Sequence, residues 1–242
     1  MKKIGIVGGI AWPSTVEYYS GICRLAEQDF SGTHIPEMVI ESLDMNRAAA
    51  YVGTEEEAAS WLRFDEYHRA ALRRLESSGA QCALLASNTA HHRFAEIVRG
   101  IVIPVIDMFE AVAAECRHIG AHRVLVLGTA VTMGSNRLRE TFAAYGVEAV
   151  GPEDQCDRDL TVRIGEELQH GRGEGAAARI DDIARRAGKR RFAAPPVVCL
   201  ACTELPLAFP GLRERASFTL YGITYVNTAA THIAAAYAFA AA

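Results

Sequence analysis

The chain has 242 residues, 50% hydrophobic and 22% charged, with a formal net charge of -4. That is enough for one large domain or two halves of ordinary size, and too apolar for a disordered chain. The weakly acidic balance argues against nucleic acid as the main partner, and the most basic stretch, Arg185 and Arg186 with Lys189, Arg190 and Arg191, reads as a solvated helix end.

Lys2 and Lys3 lead into only a short apolar run before Gly8 and Gly9, so no secretory signal is read. No run approaches the length of a membrane span, and no membrane partner is expected. The six cysteines, Cys23, Cys82, Cys116, Cys156, Cys199 and Cys202, are scattered as in a cytoplasmic chain and are expected to be reduced and mostly buried.

In chain order, strands are predicted at 3–7, 38–43, 82–86, 102–106, 123–127, 147–150, 197–200 and 217–221, separated by helical segments, with a last helix from about Asn227. This is the βα alternation of parallel sheets. Ser14 with Glu17, and Thr54 with Glu57, have the spacing of reciprocal helix caps, and Gly120 and Gly146 stand where helices should stop.

An internal repeat divides the chain. KIGIVGGIAWPST from Lys3 matches RVLVLGTAVTMGS from Arg123, an offset of 120, and ALLASNT resembles VVCLACT with Ser87 and Cys202 at an offset of 115. The expectation is therefore an α/β protein of two pseudo-symmetric lobes, each a parallel-sheet α/β sandwich. The first would span residues 1–113 with 212–242 and the second 114–211. In open parallel sheets ligands bind beyond the carboxyl ends of the strands, so the active site is expected in the cleft between the lobes.

The glycines at positions 5, 8 and 9 do not have the GxGxxG spacing of a dinucleotide site, and the turn reads instead as a tight one presenting amides to a small anion. Cys199 and Cys202 form a CxxC, but there is no second pair to complete a tetrahedral metal site. Residues three apart on a strand also point to opposite faces, which disfavours a disulfide. Cys202 alone stands where a buried strand meets a helix expected near Thr203, whose amides would favour thiolate; the same position suits an inert buried cysteine. Thr203 and Glu204 follow it, polar groups costly to bury without a partner. Ser87 occupies the matching tip. It needs a proton acceptor to act as a base, and His91, one helical turn on, is the candidate. Asn88, Thr89 and His91 suit helix capping and substrate contact equally.

The ordered set IGIVGG, SNTAH, GTAVTM, ACTELP and YVNTAATHIAAA resembles the aspartate/glutamate racemase family over essentially the whole chain. The resemblance implies a two-lobed enzyme, usually a homodimer, that inverts the α-carbon of an amino acid without pyridoxal phosphate, other cofactor or metal. One thiolate removes the α-proton and a thiol on the opposite face returns one. By position, Cys202 matches the second catalytic cysteine, and Asn88, Thr89 and Thr203 match groups holding the α-carboxylate. Gly8, Gly9 and Thr129 match tips lining the same site, and Glu204 joins the substrate-binding set. Arg47 stands about where relatives place an arginine for an acidic side chain, a task its planar fork suits; a surface arginine is the competing reading.

The chain departs from the pattern at Ser87, where the first catalytic cysteine is usual. Cys202 is then expected to deprotonate the L enantiomer, with Ser87, or water it holds, reprotonating the other face. The aspartate usual near Val226-Asn227-Thr228 is missing, and only Arg163 and His170 offer themselves as a second basic group. Two other readings remain: a single-cysteine decarboxylase or isomerase of the same superfamily, and a catalytically silent amino-acid-binding protein.

Overall fold

The apolar runs form strands beginning at β1 (Ile4–Gly8), β2 (Met38–Ser42), β3 (Cys82–Leu85) and β4 (Val105–Ile106). These make a parallel sheet in the order β2-β1-β3-β4. The central strands β1 and β3 are buried throughout, which is why they read as continuous apolar runs rather than alternating ones. The structure, a computed structural model, describes residues 1–30, 35–53, 58–192 and 196–242. Thr54 and Glu57 lie outside the described residues.

The second sheet is built from β5 (Arg123–Gly128), β6 (Glu148–Val150), β7 (Val197–Ala201), β8 (Ser217–Leu220) and β9 (Ile223–Asn227), in the order β6-β5-β7-β9-β8. All its pairs are parallel except β8 with β9. The repeat is preserved down to register. Ile4 lies opposite Cys82 in the first sheet, and Val124, 120 residues on, lies opposite Val197, 115 residues beyond Cys82. The two strand tips that carry Ser87 and Cys202 are therefore equivalent, each leaving the strand next to the glycine-ended first strand of its own sheet.

Connections between parallel strands are helical, as right-handed crossovers require. In the first unit they are α1 (Trp12–Asp29), α2 (Met45–Ala50), α3 (Ala58–Ser77), α4 (Asn88–His92) and α5 (Phe94–Ile97). The second holds α6 (Met108–His118), α7 (Ala130–Gly134), α8 (Asn136–Ala144), α9 (Gln155–Gln169) and α10 (Ala176–Arg191), with α11 (Thr228–Ala241) closing the chain. Gly120 and Gly146 follow α6 and α8 with positive φ, so both helix stops are where the sequence puts them.

Three expectations are corrected. Ser14 does not cap α1: the helix begins at Trp12 with Pro13 in its first turn, and Ser14 is buried inside it, donating to the Ala11 carbonyl at 3.0 Å. Strand β9 lies where none was expected, after a two-residue turn in which Tyr221 and Gly222 both have positive φ. It is buried against β7, so β8 and β9 stay with the second sheet, and the division falls at Met1–Asp107 with Ile233–Ala242, and Met108–His232. α11 returns to the first unit from Ile233 onward. There Tyr237 donates to Asp29 at 2.8 Å, and Ile233 packs so closely on Gly21 that a Cβ on the glycine would lie 3.1 Å away.

The first core, around Leu72, Leu75, Leu85 and Ile97, also buries a charged and a titratable group beside the Ser87 tip. Arg93, at the junction of α4 and α5, grips the buried Asp65 of α3 through Nε (3.1 Å) and Nη2 (2.6 Å). His68, one turn along α3, is bonded through Nδ1 to the Phe64 carbonyl at 2.8 Å. Burial pushes its pKa down from 6.5 to about 4, with His91 adding to the fall and Asp65 and the Phe64 carbonyl opposing it. A histidine kept neutral in the fold stabilises fully above its unfolded pKa, and that stability is lost as pH falls from 6.5 towards 4, by roughly 3 kcal/mol for a shift of this size. Chemical denaturation followed from pH 7 to 4 should show this loss, and His68→Gln should flatten it.

Candidate active site

The tips of β2, β1 and β3 stand side by side at the carboxyl edge of the first sheet. β1 ends at Gly8, paired with Ser42 of β2, and the Gly8 carbonyl accepts from the Leu43 amide at 2.9 Å. Both glycines are needed for packing. A Cβ on Gly8 would lie 2.5 Å from the Thr15 side chain, and one on Gly9, whose φ is +87°, 2.2 Å from the Leu43 carbonyl oxygen. The Gly9 amide donates to Thr15 Oγ1 at 2.8 Å, so this turn spends an amide on its own closure rather than presenting it to an anion.

Ser87 leaves β3 with extended backbone and caps α4, its Oγ accepting from the Ala90 amide at 3.4 Å. Asn88 and Thr89 are the first residues of that helix, the former buried and the latter half-buried. His91 is fully buried, but its Nδ1 lies 2.8 Å from the Ser87 carbonyl oxygen, not the hydroxyl. A carbonyl only accepts, so Nδ1 carries the proton and this nitrogen cannot serve Ser87 as a base. The ring is fixed further by stacking on Phe94.

Arg47 sits on α2, directly beyond the β2 tip. Asp44 caps that helix by accepting the Arg47 amide at 2.8 Å. The guanidinium is exposed but not loose: Nε donates to the Tyr51 hydroxyl at 3.0 Å, and the group lies over the Tyr67 ring, 5.0 Å from its centroid. The contact with Tyr51 raises the pKa of a group already charged at any working pH.

In the second unit, β5 ends at Gly128, where a Cβ would meet the Ala201 carbonyl oxygen at 2.2 Å; this brings the β5 tip tight against the end of β7. Thr129 then caps α7, accepting from the Thr132 amide at 3.2 Å and sharing a hydroxyl bond with Thr132 at 2.9 Å. Cys202 follows β7, buried, and Gly165 of α9 packs against it so that a Cβ there would be 3.4 Å from its sulfur.

The helix expected at Thr203 is not present. A turn leads instead into a four-residue 3-10 helix, Leu205–Ala208, too short for an appreciable dipole. The thiol pKa is accordingly raised rather than lowered. Burial is the main cause, followed by the charge and hydrogen bond of Glu204; the Glu204 and Leu205 amides pull the other way without prevailing. Sγ donates to Glu204 Oε2 at 3.0 Å, and Thr203 Oγ1 donates to the same carboxylate at 3.2 Å. Cys202 is thus a protonated thiol held against an acceptor two residues away, and the Thr203 hydroxyl is committed to that acceptor as well.

All six cysteines are free, Cys82, Cys116 and Cys199 are buried, and burial pushes the Cys116 thiol up to about 12. Arg163, on α9, and His170, which follows it, are both exposed, and Arg163 lies about half a turn around the helix from Gly165, the residue that packs on Cys202. Asn227 is buried and structural: Nδ2 donates to the Arg213 carbonyl at 2.6 Å and Oδ1 accepts from the Ala230 amide at 3.1 Å. Among the described residues no helix is long and apolar enough to cross a membrane.

Two parallel α/β units with equivalent, differently equipped tips have counterparts among known proteins. The Asp/Glu/Hydantoin racemase family model matches residues 7–236. The chain belongs to the Asp/Glu/Hydantoin racemase family. Among solved structures it is similar to an aspartate racemase homologue from Pyrococcus horikoshii OT3, at 27% identity across the whole of both chains, with a TM-score of 0.79. It shares its fold with the Picrophilus torridus aspartate racemase, at 22% identity and TM-score 0.75 over 100% of this chain and 95% of that one. The glutamate racemase of Campylobacter jejuni is similar in fold at 18% identity and TM-score 0.61, over 96% and 83% of the respective chains. The Asp/Glu/Hydantoin racemase family membership makes the protein an isomerase of the racemase class.

The sequence reading missed two things here. One is the role of Glu204 as acceptor for the Cys202 thiol, signalled only by its place two residues on. The other is the pair of tyrosines around Arg47, of which Tyr51 is legible as an i,i+4 partner on one helix.

Proposed function

We propose that the protein is a cofactor-independent racemase of amino acids, acidic ones in particular, that works mainly from the L enantiomer. The observation that carries this is the equivalence of the Ser87 and Cys202 tips, matched in register yet equipped with a hydroxyl on one side and a thiol facing a carboxylate on the other. The Cys202 thiol gives up its proton to solvent by way of Glu204, and the thiolate then removes the α-proton of the L substrate. The carbanion takes a proton from Ser87 or from water it holds, and that donor is restored from solvent. Asn88 and Thr89 hold the α-carboxylate, within tips formed by Gly8, Gly9 and Thr129, while the Thr203 hydroxyl stays on Glu204, and Arg47 meets the side-chain carboxylate. Abstraction beside a carboxylate builds dense negative charge, which explains the polar tips in an otherwise apolar fold. A homodimer in the cytoplasm belongs to the same reading.

The test is incubation with L-aspartate, L-glutamate and neutral L-amino acids in deuterated water, following loss of the α-proton by NMR and product chirality by chromatography. Exchange with slow appearance of the D enantiomer is expected. A protein that binds these amino acids without exchanging the α-proton is a silent binding protein, and the racemase reading is lost.

A further inference from the structure

Arg47 is exposed, and an exposed arginine ordinarily samples many rotamers, with a large entropy loss on binding. Here its surroundings remove that freedom in advance. Tyr51, one turn on along α2, accepts from Nε at 3.0 Å, and Tyr67 of α3 lies under the guanidinium plane at 5.0 Å from Cζ to the ring centroid. The two rings brace each other edge to face, with centroids 5.8 Å apart. Tyr67 is fixed in turn because its hydroxyl accepts from the amide of Asp44, the residue that caps α2.

The consequence is directional. With Nε engaged and one face covered, the donors left for a ligand are the two Nη groups. Among the described residues no acceptor is hydrogen-bonded to them. A carboxylate meeting that edge makes two parallel charge-assisted bonds end-on. Tyr51, having accepted from Nε, still has its own hydroxyl proton to donate beside the same edge.

We propose that Tyr51 and Tyr67 are positioning residues that hold Arg47 with its Nη edge presented to the side-chain carboxylate of the substrate, and so set the preference for acidic amino acids. This rests on the reading of Arg47 given above as the group that meets that carboxylate. The clamp acts on binding of a part of the substrate remote from the reacting carbon, so its loss should appear in KM and leave kcat nearly unchanged.

The experiment measures kcat and KM for α-proton exchange from L-aspartate and L-glutamate in the full-length protein and in Tyr51→Phe, Tyr67→Leu, Tyr67→Phe and Arg47→Gln, with thermal melts confirming that each variant is folded. Tyr51→Phe and Tyr67→Leu should each raise KM by about tenfold, the scale of one hydrogen bond to a charged group or one desolvated cation-ring contact, with kcat within about twofold. Tyr67→Phe keeps the ring under the guanidinium and should restore most of the affinity that Tyr67→Leu loses. Unchanged KM in the tyrosine variants while Arg47→Gln raises it overturns the clamp and leaves the role of Arg47 standing. Unchanged KM in Arg47→Gln, or no turnover of an acidic amino acid by the native protein, overturns both. A fall in kcat alone, or equal loss in Tyr67→Phe and Tyr67→Leu, overturns the clamp.

Discussion

Replacing Cys202 by alanine is expected to lower the rate of α-proton exchange from L-amino acids by about a thousandfold, the middle of the range that a positioned general base contributes. The substitution removes one sulfur from a buried site already narrowed by Gly165, so the fold should survive, and melting temperature is the control. Glu204→Gln should be milder, about tenfold to a hundredfold, because the thiol keeps a hydrogen-bond acceptor but loses one that can take its proton. The two variants also separate through pH. The native thiol is raised above its ordinary value, and a base must be deprotonated to work, so kcat/KM for the L substrate should climb with pH through and beyond the range of a free thiol, about 8.5. The Glu204 charge is among the causes of that elevation, so in Glu204→Gln the rising limb should move to lower pH even as the plateau falls. Exchange that persists in Cys202→Ala removes Cys202 from the mechanism. A limb that moves upward in Glu204→Gln removes the assigned role of the carboxylate.

The direction of that thiol shift shows where sequence reasoning stops. Amides after a strand are a local feature, so the sequence points to a helix start near Thr203 and hence to thiolate. What decides the matter is how deeply the sulfur is buried, to which the sequence-distant α9 contributes through Gly165, and how Glu204 turns back towards it as the chain enters a 3-10 turn instead of an α-helix. The repeat fared differently. Apolar strand, glycine and polar tip recur at offsets of 120 and 115, and the strand pairing repeats with them, Ile4 opposite Cys82 and Val124 opposite Val197. Strand β9 was missed because its turn, Tyr221-Gly222, lacks the usual Asn-Gly or Asp-Gly signal, and because its partner β7 is distant in sequence. That one strand is also what moved the expected division of the chain from residue 212 to Ile233.

Ser87→Cys is expected to raise inversion of the L substrate by about a hundredfold or more while barely changing its α-proton exchange with retention. A proton that Cys202 removes can be returned by Cys202 on the same face. In the native protein the Ser87 tip carries a hydroxyl, a far weaker acid than a thiol, and His91 Nδ1 is spent on the Ser87 carbonyl. Exchange with retention should therefore outrun formation of the D enantiomer. Starting from D, removal by the serine side should be slow. Since the enantiomers have equal free energy, kcat/KM must be the same in both directions, so the low kcat for D must come with a proportionately low KM rather than with a shifted equilibrium. A thiol at position 87 supplies an acid and, once ionised, a base to the second face, lifting kcat from D towards kcat from L. The cap is only slightly weakened, because the Ser87 contact with the Ala90 amide is already long at 3.4 Å. Measuring the ratio of inverted to retained deuterated product, alongside kcat from each enantiomer, decides the point. A native ratio near one, or no rise in a folded Ser87→Cys protein, would show that the serine side is not what limits inversion.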